Sequence, residues 1–119
     1  MKCESLDVWK RACRLSVDMY RHFNDSREYG FKEQITRSAL SIGSNIAEGM
    51  EKESLKENIR FLEIAKGSVA ELITQLYIGI EADFIEKRQG LTWVKECNEV
   101  LKMIKGLQYH ISKGGENEK

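Results

Sequence analysis

Few side chains in this chain could do catalytic or metal chemistry. They are three cysteines and two histidines: Cys3, Cys13, Cys97, His22 and His110. A zinc site usually needs a CxxC pair or histidines at ligand spacing, and a di-iron bundle needs Glu-x-x-His motifs. The sequence contains neither pattern, and it contains no glycine-rich phosphate loop or nucleophile motif. We therefore expect no enzyme activity, no metal site and no cofactor.

A second group of candidates is a stripe of uncharged polar side chains within residues 34–49, QITRSALSIGSNIAEG. Ten consecutive residues, 38–47, carry no charge there, although 32% of the whole chain is charged. The polar stripe consists of Gln34, Ser38, Ser41 and Asn45, and the apolar stripe beside it of Ile35, Ala39, Ile42 and Ile46. Because no charged face is left for water, this helix is expected to contact protein on nearly every side.

The polar stripe has two interpretations. In the functional one, Gln34, Arg37, Asn45 and Glu48 line a contact with a ligand or with RNA. In the structural one, stripe residues such as Ser41 find hydrogen-bond partners inside the bundle or across an interface between subunits, because an unpaired buried polar group costs roughly 1 to 3 kcal/mol. We favour the structural interpretation.

Small residues suggest that the second and third helices approach each other closely. They are Ala39, Gly43 and Ala47 in the second helix and Gly67, Ser68 and Ala70 in the third. Close approach would bring together the nearby charged side chains, and a buried charge is stable only when it is paired. We therefore predict ion pairs among Arg37, Glu48, Lys66 and Glu71, without knowing which residue pairs with which.

The placement of charge is the remaining functional signal. Nineteen basic residues balance nineteen acidic ones, but residues 1–23 carry five basic and three acidic side chains, and residues 83–113 carry six and four. If the first and last helices are neighbours, six cations could form a patch that contacts phosphates: Lys10, Arg14, Arg21, Lys95, Lys102 and Lys105. The charge pattern alone favours an ordinary solvated face with acids such as Asp18 and Glu99 interspersed. Repetition of the patch in an oligomer would add avidity.

Four helices are predicted to position these residues. Apolar residues recur at steps of three and four within residues 5–23, 32–49, 54–81 and 86–112, and proline is absent. Ser5 is a candidate N-cap for the first helix, and Gly49 a candidate C-terminal cap for the second. Ser54 and Glu57 have the spacing of a capping box for the third. Gly90 is expected inside the fourth helix at some cost.

The fold class that follows is all-α, an antiparallel up-down-up-down four-helix bundle with the third helix diagonal to the first. Residues 1–113 are expected to form one domain, and the polar tail 114–119 is expected to be flexible. The N-terminal segment lacks an apolar stretch of signal-peptide length, and no window is apolar enough to span a membrane. The three cysteines resemble reduced thiols, so we expect a cytoplasmic protein that does not associate with membranes.

Three sequence blocks give the chain a family resemblance. They are L-x-V-W-x-x-A-x-x-L at residues 6–15, Y-G-F-x-x-Q-I-x-R-S-A-x-S-I-x-S-N-I-A-E-G at residues 29–49, and F-L-x-I-A-x-G-S-x-x-E-L-x-x-Q-L at residues 61–76. Together they resemble the four-helix-bundle proteins encoded by intervening sequences in bacterial 23S rRNA genes. The second block is the most specific. The chain lacks the proline usual after the first helix and has Asn24 and Asp25 there.

The resemblance implies a ring-like homo-oligomer, commonly a pentamer, and a distant similarity to accessory proteins of diversity-generating retroelements, which bind a reverse transcriptase and nucleic acid. It implies no catalytic activity. The function expected from the sequence is therefore a non-enzymatic, homo-oligomeric binding or assembly module that associates with structured RNA or a ribonucleoprotein. The alternative is a small-ligand or metal-binding bundle whose polar stripe surrounds a cavity.

Overall fold

The computed structural model describes residues 3–114, and the predicted all-α class is confirmed. The described residues form one 3₁₀ turn and four helices: Cys3–Ser5, α1 Asp7–His22, α2 Tyr29–Glu51, α3 Leu55–Glu81 and α4 Lys87–Ser112. The predicted helices lie within three residues of these bounds at every end. No helix among residues 3–114 is long and apolar enough to cross a membrane. Residues 115–119, most of the predicted flexible tail, lie outside the described part of the chain.

The helices pack as an elongated bundle of 48 × 21 × 21 Å. α2 packs against α1 and α3, and α4 packs against α3 and, more sparsely, against α1. The backbones of α1 and α3 do not come close to each other, so these helices are diagonal, and the predicted up-down-up-down topology is confirmed.

The core is built from the apolar stripes that the periodicity predicts. All four apolar residues of the α2 stripe are fully buried: Ile35, Ala39, Ile42 and Ile46. They meet fully buried side chains from the other helices, among them Leu15, Leu62, Leu72 and Ile104. Burying each of these Leu or Ile side chains contributes roughly 1.5 to 3 kcal/mol. Packing of these stripes therefore holds the four helices together.

The helix ends follow the sequence signals only in part. The hydroxyl of Ser54 accepts a hydrogen bond from the backbone N–H of Glu57 at 3.1 Å, which confirms the predicted N-cap of α3. The carboxylate of Glu57 instead accepts hydrogen bonds from Arg60, so the capping box is half formed. At the start of α1 the N-cap position belongs to Leu6, without a side-chain cap, and the predicted cap Ser5 lies in the preceding 3₁₀ turn.

The C-terminal end of α2 corrects the predicted role of Gly49. The helix continues to Glu51, and Gly49 is buried inside it, where an added Cβ would lie 3.0 Å from the Cβ of Phe61 in α3. The side-chain amide of Asn58 caps this end by donating hydrogen bonds to the carbonyls of Gly49, at 2.7 Å, and Lys52, at 2.9 Å. Gly49 is therefore needed for close packing of two helices and not for a left-handed turn.

Candidate assembly surface and polar network

The middle of the polar stripe is satisfied inside the bundle. The hydroxyls of Ser41 in α2 and Ser68 in α3 are 2.8 Å apart and share a hydrogen bond. The side-chain amide of Asn45 donates to the backbone carbonyl of Ser41 at 2.8 Å and to its hydroxyl at 2.9 Å. This network crosses the seam between α2 and α3. The geometry therefore fits the structural interpretation of the stripe for these residues.

The remaining stripe residues differ in burial. Ser38 is buried, whereas Gln34 and the two charged residues beside the stripe, Arg37 and Glu48, are exposed on the outer side of α2. Of the four side chains expected to line a ligand site, Asn45 belongs to the polar network and the other three are open to solvent. Only the stripe residues nearest the seam are brought together.

The predicted ion pairs between α2 and α3 are wrong. Arg37 pairs with Glu33 at 2.9 Å, four residues earlier in its own helix. Lys66 pairs with Glu63 at 2.6 Å, three residues earlier in α3. Partners one helical turn away are already in reach, so no cross-helix contact is needed.

The other two residues predicted to form ion pairs, Glu48 and Glu71, do not pair across the helices either. The carboxylate of Glu48 pairs with the ammonium group of Lys52 at 3.2 Å, again one turn away. Glu71 is exposed and makes no ion pair within residues 3–114. The four charges are thus spread over the outer surfaces of two helices and are not buried between them.

Within residues 3–114, the ion pair that does form between two helices joins α1 to α4. The guanidinium of Arg11 binds both carboxylate oxygens of Glu96, with N···O distances of 2.8 and 2.6 Å. The hydrogen bond that Arg11 donates to Glu96 raises the pKa of the guanidinium above its usual value. Because both side chains are partly exposed, this bidentate pair contributes about 1 kcal/mol or less. No sequence motif marks either residue, which is why sequence reasoning missed the pair.

The six predicted phosphate-binding cations are all exposed, but they do not form one patch. Helical geometry places Lys10, Arg14 and Arg21 on the outer face of α1. Lys105 instead borders a groove between α4 and α3 that it shares with Lys66. The patch is therefore divided.

Acids further break up the α1–α4 side of the predicted patch. Lys102 lies 3.6 Å from Glu99 and pairs with it, and Lys95 remains exposed on the same helix. Glu96 lies in the seam itself. The predicted mixture of cations and acids is what the structure contains.

The small residues of α2 do not all face α3 as predicted. A Cβ added at Gly43 would lie 3.5 Å from the Sγ of Cys13, so Gly43 faces α1. A Cβ added at Gly67 in α3 would meet nothing within 4 Å. The close approach of α2 and α3 depends instead on Ser68 and Gly49.

The most distinctive surface is a groove between α1 and α2, which we call the α1–α2 groove. It has a volume of about 390 Å³ and nine lining residues, none of them charged: Trp9, Ala12, Cys13, Ser16, Val17, Leu40, Gly43, Ser44 and Ala47. The side chain of Leu40 is 50% exposed there, and Val17 and Tyr20 are exposed beside it. The uncharged run 38–47 therefore leaves one of its sides uncovered in a single copy of the chain.

The cysteines offer no obvious reactive centre. Burial raises the pKa of the Cys13 thiol in the α1–α2 groove, and it raises the pKa of Cys97 to about 12. Both shifts disfavour the thiolate that would act as a nucleophile or metal ligand. Among residues 3–114, no group of three or more His, Cys, Asp or Glu side chains is placed to hold a metal ion.

Comparisons with known proteins agree with this architecture. A family model described as 23S rRNA-intervening sequence protein matches residues 4–106. A solved structure of similar fold is a protein of unknown function from the S23 ribosomal protein family of Bacteroides thetaiotaomicron. The two chains are 26% identical with a TM-score of 0.80, and the match covers 85% of this chain and 97% of that one. No curated protein matches the chain.

Proposed function

Because the chain belongs to the 23S rRNA-intervening sequence protein family, we propose that it is a non-enzymatic four-helix bundle that self-associates and serves as a binding or assembly module. We further propose that the assembly is the five-membered ring implied by the family resemblance. We also propose a cytoplasmic location, in keeping with three free thiols at Cys3, Cys13 and Cys97.

The α1–α2 groove carries this proposal. A chain that is 32% charged leaves a groove with nine uncharged lining residues open to water. Contiguous apolar surface of this kind is a mark of protein contact sites, whereas single exposed apolar residues are ordinary. Covering the exposed halves of Leu40 and Val17 would contribute roughly 1 kcal/mol each per interface. A second copy of the chain supplies the cover in this proposal.

Self-association is tested by size-exclusion chromatography with light scattering on the full chain at micromolar concentration. We expect a homo-oligomer for the wild type and a monomer for Leu40→Glu, because a carboxylate cannot be desolvated in the groove without a partner. Leu91→Glu is the matched control, since Leu91 is similarly exposed, at 41%, but lies on α4 away from the groove. This control should remain assembled.

Circular dichroism separates loss of assembly from loss of folding. Leu40 points outward from a single copy, so the Leu40→Glu chain should stay as helical as the wild type. A wild type that is monomeric at micromolar concentration would overturn the proposal. So would a Leu40→Glu variant that assembles like the wild type.

Contact with structured RNA is a second proposed activity. Its support is that Lys10, Arg14 and Arg21 are exposed and make no ion pair within residues 3–114, which leaves them free to neutralise phosphates. The family description links these proteins to 23S rRNA genes. A ring would repeat the cations around its circumference and gain avidity.

RNA contact is tested by binding to a labelled structured RNA over a salt series. Affinity should fall steeply with salt, and replacing Lys10, Arg14 and Arg21 by Glu should abolish binding. The control replaces Lys56, Lys87 and Lys113 by Glu, which changes the net charge equally at other exposed positions. Equal loss in both triple variants would indicate nonspecific attraction. Unchanged binding in the first would exclude this surface.

The alternative, a ligand- or metal-binding bundle, draws no support from the polar stripe. Ser41 and Asn45 use their hydrogen-bonding groups on each other and on Ser68. Gln34 and Arg37 are exposed. Elemental analysis and a thermal-shift screen with metabolites would revive this alternative if either revealed a stoichiometric ligand.

A further inference from the structure

A second surface with little charge lies on α3. Its exposed members, which we call the α3 outer face, are Ile64, Gly67, Ala70, Glu71, Thr74 and Ile78. Ile78 is 51% exposed, and Glu71 is the one Asp, Glu, Lys or Arg between Gly67 and Ile80. A helix face directed to solvent is normally rich in charge. The α3 outer face therefore has the composition of a covered surface.

Gly67 has no role in packing within a single copy. A Cβ added there would meet nothing within 4 Å, and yet a glycine inside a helix costs about 1 kcal/mol relative to alanine. Ala70 and Thr74, which follow on the same side of α3, are also small. Because the side chains at these positions are small, the backbone of another helix can come close to α3.

Gln75 gives an independent indication that this region is incomplete in a single copy. Its side-chain Oε1 is buried and has no hydrogen-bond partner within residues 3–114. Gln75 lines a shallow groove with Ala70, Glu71, Thr74 and Ile78. Because a buried acceptor without a donor costs roughly 1 to 3 kcal/mol, a rotation of this side chain that brings Oε1 to a donor of a neighbouring copy would stabilise the site.

Charge relates the α3 outer face to the α1–α2 groove. Glu71 makes no ion pair within residues 3–114, and neither do Lys10 or Arg14. Helical geometry places these two cations on the outer side of α1, next to the Val17 edge of the groove. An unpaired anion on one surface thus matches unpaired cations at the rim of the other.

The two surfaces lie on different sides of the bundle, since α1 and α3 are diagonal. A two-fold interface pairs one patch with itself, whereas a head-to-tail interface pairs two different patches and can close into a ring. We propose that the chain assembles head to tail, with the α3 outer face of one copy packed into the α1–α2 groove of the next. This inference rests on the proposed self-association and specifies which surfaces meet.

Mixing two variants tests the head-to-tail arrangement. Leu40→Glu blocks the α1–α2 groove and leaves the α3 outer face intact. Ile78→Glu blocks the α3 outer face and leaves the α1–α2 groove intact. Each variant alone should be a monomer by light scattering. An equimolar mixture should form a species of two chains and nothing larger, because only one competent interface remains. The Leu91→Glu chain is the control and should form the wild-type oligomer.

The outcomes distinguish this inference from the proposed function. A wild-type monomer would defeat both. Monomeric variants that fail to pair on mixing would leave self-association standing but overturn the pairing of these two surfaces. An Ile78→Glu chain that assembles like the wild type would also overturn it, because the α3 outer face would then be unused.

A third variant separates assembly from folding. Gly67→Gln replaces a poor helix former by a good one at a site with open space, so the isolated chain should be at least as helical as the wild type. The added side chain would prevent close approach of a neighbouring copy, and the oligomer should dissociate at least tenfold more readily on dilution. Unchanged dissociation would show that no helix packs against Gly67.

Discussion

Cys97 shows how completely the bundle isolates a potentially reactive side chain. It lies on the buried face of α4, and none of its surface is exposed. Burial, with a smaller contribution from the charge of Glu96, raises its pKa from 9.0 to about 12. At neutral pH the group is a thiol that packs as a small apolar side chain and not as a nucleophile.

This pKa predicts a loss of stability at alkaline pH. Below pH 9 the thiol is protonated in both states, but between pH 9 and about 12 the unfolded chain releases the proton and the folded chain keeps it. The free energy of unfolding should therefore fall by up to about 1.4 kcal/mol per pH unit in that window. Urea unfolding of wild type and Cys97→Ala at pH 8 to 11 measures it. Equal pH dependence in the two proteins would contradict the prediction.

Charged side chains were the least predictable residues in the sequence. Arg37 and Lys66 each had a carboxylate one helical turn away, at Glu33 and Glu63, and these local partners took precedence. The pair between Arg11 and Glu96 depends on how two distant segments meet, which periodicity does not specify. The apolar positions were predictable because spacing alone assigns them to the core.

Helix ends depend on contacts from neighbouring helices as much as on local capping. α3 begins at a local cap, the hydroxyl of Ser54, and the sequence alone predicted it. α2 ends at a tertiary cap, the side-chain amide of Asn58, which satisfies carbonyls of Gly49 and Lys52. A glycine near a helix end was therefore misleading, since close packing against α3 explains it better than chain reversal.

Glycine-to-alanine substitutions should separate packing from propensity. At Gly49 the new Cβ would lie 3.0 Å from the Cβ of Phe61 and 3.3 Å from the carbonyl oxygen of Asn58, so α2 and α3 must move apart. We expect Gly49→Ala to destabilise the fold by roughly 1 to 3 kcal/mol. Gly106→Ala, at an open position in α4, should instead stabilise it by up to about 1 kcal/mol.

Chemical denaturation measured by circular dichroism gives both values. The pair is informative because each change adds one methyl group inside a helix. Similar gains in stability at both positions would show that the contact between Gly49 and Phe61 is not tight. The expected difference in sign would assign Gly49 to helix packing.

At the scale of the whole molecule, the bundle has two kinds of surface. The outer face of α1 is cationic through Lys10, Arg14 and Arg21, whereas the α1–α2 groove and the α3 outer face carry little charge. In our proposals the uncharged surfaces are used for assembly, Lys10 and Arg14 lie at the rim of the interface opposite Glu71, and the cations that stay open to solvent are used for RNA. The ring would then display its cations outside the subunit interfaces or at their rims.

The topology could be predicted because four apolar stripes joined by short loops have few ways to pack. The uncharged run 38–47 also indicated contact beyond one helix face, and the structure shows which part of that contact is intramolecular. Ser41 and Asn45 face α3, while Leu40 and Ser44 face solvent at the groove. The sequence alone could not separate the residues that face α3 from those that face solvent, because this depends on how α2 is rotated against its neighbours.

If the oligomer covers the groove in solution, stability should depend on protein concentration. Folding that is coupled to assembly gains about 1 kcal/mol per chain for each tenfold rise in concentration, which corresponds to an increase of about 4 °C in Tm. Calorimetry at a low protein concentration and at 10, 100 and 1,000 times that concentration would show the rise in Tm for wild type and for Leu91→Glu. Leu40→Glu should unfold at a Tm that does not change with concentration, because its fold is intact and its groove is blocked. A constant Tm for the wild type would mean that the groove stays open to water.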